Sequence, residues 1–392
     1  VKGVRLVLFS MAGIKDIIYL DYNSTTPIHP RVLEAMLPFL HDNFANPSSS
    51  HYLGQLTNKK IKEARHKIAD FLNAESNEFV FTSGATEAIN LALKGVAESY
   101  SNKGKHIITV STEHKAVLDT CKDLERKGFE VTYLPVLTNG LIELSELQKA
   151  IRSDTVLVSV MYVNNETGVI QPIKEIAELA HKKGALFMTD ATQAIGKIEI
   201  NVDDLGVDLL CFSGHKMYAP KGIGALYLRS KTKLSQQIHG GGHENGLRSG
   251  TLNVPGIIAL EKACEIADEE MPFNKRNISA LRNKLESDLL KLPNTSLNGD
   301  SENRIFNTTN ICFKGQDANV VIGRMKNIAI SNGSACSSAV VEPSHVLKAM
   351  GLSNDEAFAS IRFSLGKYNS NEDIEIAVLK IKELTQPNFK YA

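Results

Sequence analysis

Between about residues 79 and 230 the chain alternates short apolar, β-rich runs with segments of helical length. The clearest runs are Phe79-Val-Phe-Thr82, His106-Ile-Ile-Thr-Val110, Glu130-Val-Thr-Tyr-Leu134, Thr155-Val-Leu-Val-Ser-Val-Met161, Ala185-Leu-Phe-Met188 and Asp208-Leu-Leu-Cys-Phe212. Runs of this kind, separated by helices, predict a mostly parallel sheet covered on its faces. Polar residues follow most of them, at the carboxyl edge where open α/β sheets bind ligands. The pattern changes near residue 270, where Glu269-Glu-Met-Pro-Phe interrupts a helical stretch and a charged helix around Leu281-Arg-Asn-Lys-Leu-Glu-Ser-Asp-Leu-Leu follows. Thr309-Asn-Ile-Cys-Phe313 and Ile361-Arg-Phe-Ser364 then read as strands of a smaller α+β unit. The chain has no internal repeat and no low-complexity segment.

A length of 392 residues exceeds what one hydrophobic core usually serves, so two domains are expected. Lys plus Arg and Asp plus Glu both number 44, which removes a global basic field as a reason to bind nucleic acid or an anionic membrane. Small molecules or proteins are the expected partners. The apolar runs break within about ten residues, against roughly twenty for a membrane helix, so no membrane association is expected. The opening Val1-Lys-Gly-Val-Arg-Leu-Val-Leu-Phe-Ser-Met11 has two cations and a short apolar patch, but no cleavage site for secretion. Met11 is a candidate start, with the first ten residues an extension.

Five cysteines, Cys121, Cys211, Cys264, Cys312 and Cys336, stand far apart with no Cys-x-x-Cys pair and no clustered histidines. A disulfide scaffold or structural metal is not expected, and a reducing cytoplasm is. Cys211 and Cys312 sit in apolar strands and read as packing residues, whereas Cys121 and Cys264 lie in helix-like stretches without an activating neighbour.

The chemistry begins with Leu209-Leu-Cys-Phe-Ser-Gly-His-Lys216, an apolar strand ending in a small polar turn that carries a lysine. A lysine there can form a Schiff base at the crevice of the sheet. Some twenty residues earlier, Asp190-Ala-Thr-Gln193 delivers a carboxylate to the same edge. Pyridoxal 5'-phosphate needs this pair: a lysine for its aldehyde, and an acid that keeps the ring nitrogen protonated so that the ring draws in electrons. Thr82-Ser-Gly-Ala-Thr-Glu-Ala-Ile-Asn90 reads as a strand, a turn and a helix start, so Ala85 and Thr86 can meet a phosphate at the positive helix end; a plain Ser/Thr cap is the alternative. His114 could stack on a flat ring and carry a proton, or could be structural at a loop-to-helix junction. Asn165, after the 155–161 run, could reach a cofactor or a substrate carboxylate, or belong to an Asn-rich turn.

Taken together, Thr112-Glu-His-Lys-Ala, Val163-Asn-Asn-Glu-Thr-Gly, Asp190-Ala-Thr-Gln193, Ser213-Gly-His-Lys216, Gly240-Gly-Gly-His-Glu with Arg248-Ser-Gly-Thr251, and Gly333-Ser-Ala-Cys336-Ser-Ser resemble the cysteine desulfurases of the NifS/IscS type. The match runs in order from Tyr19 to Gly366. It implies aminotransferase fold type I: a mostly parallel seven-stranded sheet in a large domain over 26–270, with 1–25 and 271–392 forming the small α+β domain. It implies that Lys216 binds the cofactor, Asp190 pairs with the ring nitrogen, Gln193 bonds the ring hydroxyl and His114 stacks on the ring. Ala85, Thr86, Ser213 and His215 would hold the phosphate, and Thr251 would reach the phosphate of a neighbouring subunit in a homodimer. Asn165 and Arg362 would receive the carboxylate of L-cysteine, which suits the planar fork of arginine. Arg362 alone could equally be a surface ion-pair residue.

Cys336 discriminates among activities. Its small polar neighbours in Ser331-Asn-Gly-Ser-Ala-Cys-Ser-Ser-Ala-Val-Val-Glu-Pro343 predict a mobile exposed loop over about 331–345, where a thiol is accessible; an incidental surface thiol is the plain alternative. The resemblance makes it the nucleophile: its thiolate attacks the substrate sulfur, gains a persulfide and passes it to an iron–sulfur scaffold or another acceptor protein, including for tRNA thiolation, while alanine leaves. His114 would shuttle the proton in that step. An aminotransferase or selenocysteine lyase of the same fold would need Lys216 without the mobile thiol, and a non-catalytic scaffold would need neither. The loop around Cys336 and the end, Gln386 to Ala392, are candidate docking segments for the acceptor.

Overall fold

The computed structural model describes residues 17–333 and 342–385, so Cys336, Met11 and the segment from Gln386 lie outside the described residues. Short strand β1 (Ile18–Tyr19) enters a pair with a late strand. The large sheet follows: β2 (Phe79–Thr82), β3 (His106–Val110), β4 (Glu130–Leu134), β5 (Thr155–Ser159), β6 (Leu186–Asp190), β7 (Leu209–Ser213) and β8 (Gly224–Leu228), in the order β2-β8-β7-β6-β5-β3-β4. A three-stranded antiparallel sheet contains β9 (Thr295–Asn298) and β10 (Thr308–Phe313) and, after β11 (Ile328–Ala329), the parallel partner of β1, it is completed by β12 (Ser360–Ser364).

The expected six strands of the large sheet form within a residue or two of their sequence bounds. The central Val/Ile/Leu-rich runs bury both faces, with β3, β5 and β7 buried at every position, whereas the edge strand β4 is buried only at Leu134. Leu209, Leu210 and Phe212 are fully enclosed; burial of such side chains is worth about 1.5–3 kcal/mol apiece, so the strand leading to Lys216 is a firm support. β8 is the addition. It runs antiparallel to β2 and β7, the one reversal in the sheet. Its start is glycine-led because the chain passes very close to two neighbours: a Cβ on Gly224 would stand 2.5 Å from the Phe212 carbonyl and 2.7 Å from Gly84 Cα. That glycine hides the strand from a reading based on β-branched runs.

The expected break at Glu269-Glu-Met-Pro-Phe does not occur. One helix, Val254–Leu289, runs through Pro272 for 36 residues. Proline removes one backbone hydrogen bond, but packing on both sides of it outweighs local propensity. Ile257, Leu260, Ala263 and Ile266 join the core of the large sheet, and Ile278, Leu285 and Leu289 join a second core with Ile311, Phe313, Ile361 and Phe363 of the small sheet. Among the described residues, no helix is long and apolar enough to cross a membrane.

Candidate active site

Three chain segments end together at one edge of the large sheet. β6 closes on Asp190, β7 on Ser213, and β2 on Thr82, just before the turn at Gly84. β2, β6 and β7 point the same way, because β8 reverses direction between β2 and β7. A cleft of about 520 Å³ opens over this edge, within the range that holds a small cofactor. Ala85, Thr86, His114, Asn165, Asp190, Gln193, Ser213, His215, Lys216 and Arg362 all line it, so the structure brings together every described candidate but one. Thr251 is exposed and is not part of the lining.

Lys216 ends a single tight turn, Gly214–Lys216, directly after β7. Its amine donates to the carbonyls of Asn23 at 2.5 Å and Ser24 at 2.6 Å. Burial, with the nearby charge of Arg362, pushes it down to about 8, against the pull of Asp21 and Asp190. Far more of it is therefore free amine near neutrality than of an ordinary lysine, which favours its attack on an aldehyde. Asp190 is 5% exposed and accepts a hydrogen bond from the Thr192 N–H at 2.9 Å, which fixes the carboxylate at the cleft wall.

The phosphate end is a helix terminus. Helix Ala85–Ser99 begins at Gly84 without a side-chain cap, so its first N–H groups are available to an anion. Gly84 has φ +152°, and a Cβ there would stand 3.4 Å from Ser213 Oγ, inside the same cradle. The plain-cap alternative is thereby set aside. His215 contacts Thr25 Oγ1 through Nδ1 at 3.1 Å. Burial, with Lys216 and Lys221 adding, pushes it down to about 4, so it faces the cradle as a neutral ring.

His114 is both a cap and a cleft residue. Nδ1 accepts from the Ala116 N–H at 3.1 Å and so starts helix Lys115–Arg126, which leaves Nε2 as the atom able to hold or give a proton. Burial lowers its pKa, Lys216 and His345 contribute, and Asp190 opposes. Arg362, on β12, is 3% exposed. It is no surface ion pair: Nη2 donates to Asp21 Oδ1 at 2.5 Å and Ser24 Oγ at 2.9 Å, and Nη1 to the Asn165 carbonyl at 2.9 Å. Among the described residues its buried Nε has no partner, which leaves a donor free for a further acceptor.

Several residues were not singled out by sequence. Asp21, Asn23 and Ser24 lie before the large sheet yet hold both cations, and nothing in their local pattern announces this. Glu113, next to His114, is fully buried; its Oε1 accepts from the Met161 N–H at 2.5 Å, and burial beside Asp190 raises its pKa well above the usual range. Glu166 is buried and accepts from Ser344 Oγ at 2.5 Å, while His345 Nε2 meets the Glu113 carbonyl at 2.9 Å. Ser331 pairs with Arg362 across a backbone bridge, and Gly333, three positions before Cys336, lines the cleft. Cys121, Cys211, Cys264 and Cys312 are all buried, and burial pushes their thiols up, Cys121 to about 12, which makes them poor nucleophiles.

These donors fit pyridoxal phosphate: an uncapped helix end for its phosphate, a carboxylate and an amide at the ring, and an uncharged-capable lysine between them. The class-V aminotransferase family model matches residues 18–376. The chain is 50% identical over 369 residues to the cysteine desulfurase IscS of Methylococcus capsulatus, covering 93% of this chain and 92% of that protein. It is 50% identical over 371 residues to the cysteine desulfurase IscS of Pectobacterium carotovorum, with the same coverage of 93% and 92%. Among solved structures it resembles a NifS-like protein, with a TM-score of 0.89 and 40% identity over 94% of this chain and 99% of that one. It also resembles SspA in complex with cysteine, at a TM-score of 0.80 and 42% identity over 90% and 100% of the two chains.

Proposed function

The chain belongs to the class-V aminotransferase family and is a pyridoxal phosphate-dependent cysteine desulfurase, and we propose from that premise that Lys216 and Cys336 divide its chemistry between them. The observation that carries this is the convergence of Lys216, Asp190, Arg362 and an uncapped helix end on one cleft. Bound there, the cofactor supplies an electron sink for cleavage at the substrate carbons. Lys216 would hold it, Asp190 the ring nitrogen and Gln193 the ring oxygen, with the His114 ring stacked on its face. The N–H of Ala85, Thr86, Ser213 and the neutral His215 would hold its phosphate.

Arg362 and Asn165 orient the L-cysteine carboxylate, and the buried Nε of Arg362, without a partner among the described residues, is a donor still available to it. Lys216, as a free amine, takes the proton from the substrate α-carbon. Cys336, as thiolate, then attacks the substrate sulfur; the carbon–sulfur bond breaks, its electron pair passes to the carbon skeleton, and the sulfur stays on Cys336 as a persulfide. His114 Nε2 supplies a proton in this step, and alanine leaves. The persulfide goes on to an iron–sulfur scaffold or another acceptor protein.

Two further parts of the reading concern assembly and setting. Phe44, Tyr52, Leu53 and Leu56 are exposed around the start of helix Tyr52–Phe71, an apolar surface suited to a second copy of the chain. A homodimer would also give Thr251, which is outside its own cleft, a phosphate to meet. The change of core within helix Val254–Leu289 supports a large domain up to about residue 270 and a small one beyond it, joined by Ile18 and Leu20 from the expected 1–25 segment, of which residues 1–16 lie outside the described residues. Four buried free thiols suit a reducing cytoplasm.

The test is alanine and sulfide formation from L-cysteine with a reductant, native against Cys336→Ala. Loss of both products with the visible cofactor band intact is expected. Undiminished turnover would remove Cys336 from the reaction.

A further inference from the structure

Behind the cleft a second, smaller cavity of about 40 Å³ shares one wall with it. Lys216 lines both, and Lys197 lines only the smaller one, together with His29, Tyr218, Glu270 and Lys367. A second lysine this close to the first needs a reason. Burial, reinforced by the charges of Lys216 and Arg362, pushes the Lys197 amine down to about 7. Among the described residues no carboxylate pairs with it; its amine donates instead to Gln193 Oε1 at 2.9 Å. On its other side the Gln193 amide donates through Nε2 to the Asn23 carbonyl at 2.9 Å, and the same carbonyl receives Lys216.

The chemistry of the partners sets which way the amide lies. The Asn23 backbone carbonyl has only lone pairs to offer, so the NH₂ must face it, and Oε1 then faces Lys197, whose amine donates to it. An NH₂ group has two protons. Asn23 takes one, and Gln193 itself lines the cleft, which leaves the second for a group bound there. Without Lys197 that order is lost: a buried Oε1 with no donor would turn to find one, and the amide could then offer oxygen to the cleft in place of nitrogen.

We propose that Lys197 is a positioning residue that fixes the Gln193 amide so that it presents an N–H, never its carbonyl, to the oxygen on the cofactor ring. This rests on the reading that Gln193 meets that oxygen. Donation from Lys197 also polarises the amide and strengthens its remaining N–H. A donor at the ring oxygen favours the form of the bound cofactor in which that oxygen bears the full negative charge, unshared with the proton on the lysine nitrogen. Lys197 therefore holds down the pH at which that proton is lost.

The experiment is a pH titration of the visible absorption band of the holoenzyme, in the native protein and in Lys197→Met, Lys197→Gln, Gln193→Leu and the Lys197→Met/Gln193→Leu pair. Loss of one hydrogen bond corresponds to about half a unit to one unit, so Lys197→Met and Gln193→Leu are each expected to raise the midpoint by that amount. Lys197→Gln, which restores a donor, is expected to recover part of the shift, and it keeps the test available if the methionine variant folds poorly. The paired variant should shift no further than Gln193→Leu alone. A midpoint unmoved in Gln193→Leu overturns the reading of Gln193 itself. A midpoint moved by Gln193→Leu but by neither Lys197 variant, or shifts that add in the pair, overturns the role of Lys197 while leaving that of Gln193 standing.

Discussion

Lys216 and Arg362 reach one cleft from two different sheets and are held by opposite kinds of partner. Lys216 leaves the large sheet and rests on the carbonyls of Asn23 and Ser24, dipoles without charge. Arg362 leaves the small sheet and meets the carboxylate of Asp21 at 2.5 Å, with side chains 4% and 18% exposed. Both are largely out of water, so the partner decides the outcome. A buried amine without a counter-ion in contact gives up its proton more readily, and Lys216 is pushed down to about 8. A guanidinium held by a counter-ion keeps its place. The first arrangement makes a nucleophile and base, the second an anchor for a carboxylate.

The largest expected effect comes from removing the reactive cation. Lys216→Ala should abolish alanine formation and the visible band of the lysine-bound cofactor, and Lys216→Arg should fail equally, because arginine cannot give up its proton there. Retained turnover in either would break the distinction. The anchor should show the reverse tolerance. Arg362→Lys keeps the charge but loses the fork, so the band should stay while kcat/KM for L-cysteine falls about ten- to a hundredfold, the worth of a charged hydrogen bond, chiefly through KM. A fall in kcat at unchanged KM would place Arg362 in the chemical step instead.

The two halves of the comparison were also unequally legible. The large-sheet half was readable because an apolar run that ends in a polar turn is a local pattern: Lys216, Asp190, Ser213 and the Thr82–Asn90 turn each sit at or just past the end of a strand, and strands running the same way carry them to one edge. Arg362 stands inside a strand with no such mark, and only the family resemblance drew attention to it. Its partner Asp21 is 341 positions away in the chain, and no period or spacing links them. Strand β8 escaped because Gly224 answers to the backbone of Gly84, a contact made in space. The break expected at Pro272 failed for the same reason in reverse: local propensity argued for an end, and two cores, one on each side of the proline, carry the helix through. Lys197 lacked any local signal, since its meaning depends on what lies behind Gln193.

The smallest expected effect is the sharpest on the comparison itself, because it moves one cation by changing the partner of the other. Asp21 raises the pKa of Lys216 and Arg362 lowers it. Asp21→Asn removes the nearby negative charge and leaves the guanidinium uncompensated, and both changes disfavour the ammonium, so Lys216 should fall further below about 8. Arg362→Gln removes the positive charge and frees the carboxylate, so Lys216 should rise. Shifts of roughly half a unit to one unit are expected, since the cleft is open to solvent and salt. They can be read in cofactor-stripped protein from the pH dependence of the rate at which Lys216 is trapped by an aldehyde and a hydride reagent, followed by peptide mass spectrometry. The sign carries through to stability. Lys216 binds its proton less tightly folded than unfolded, so between about pH 8 and the ordinary lysine range the unfolded chain holds the extra proton and the stripped protein gains stability as pH rises. Asp21→Asn should widen that window at its lower end and Arg362→Gln should narrow it. Equal shifts of the same sign in both variants would mean that Lys216 responds to loss of the pair's structure, and that the counter-ion does not set its charge.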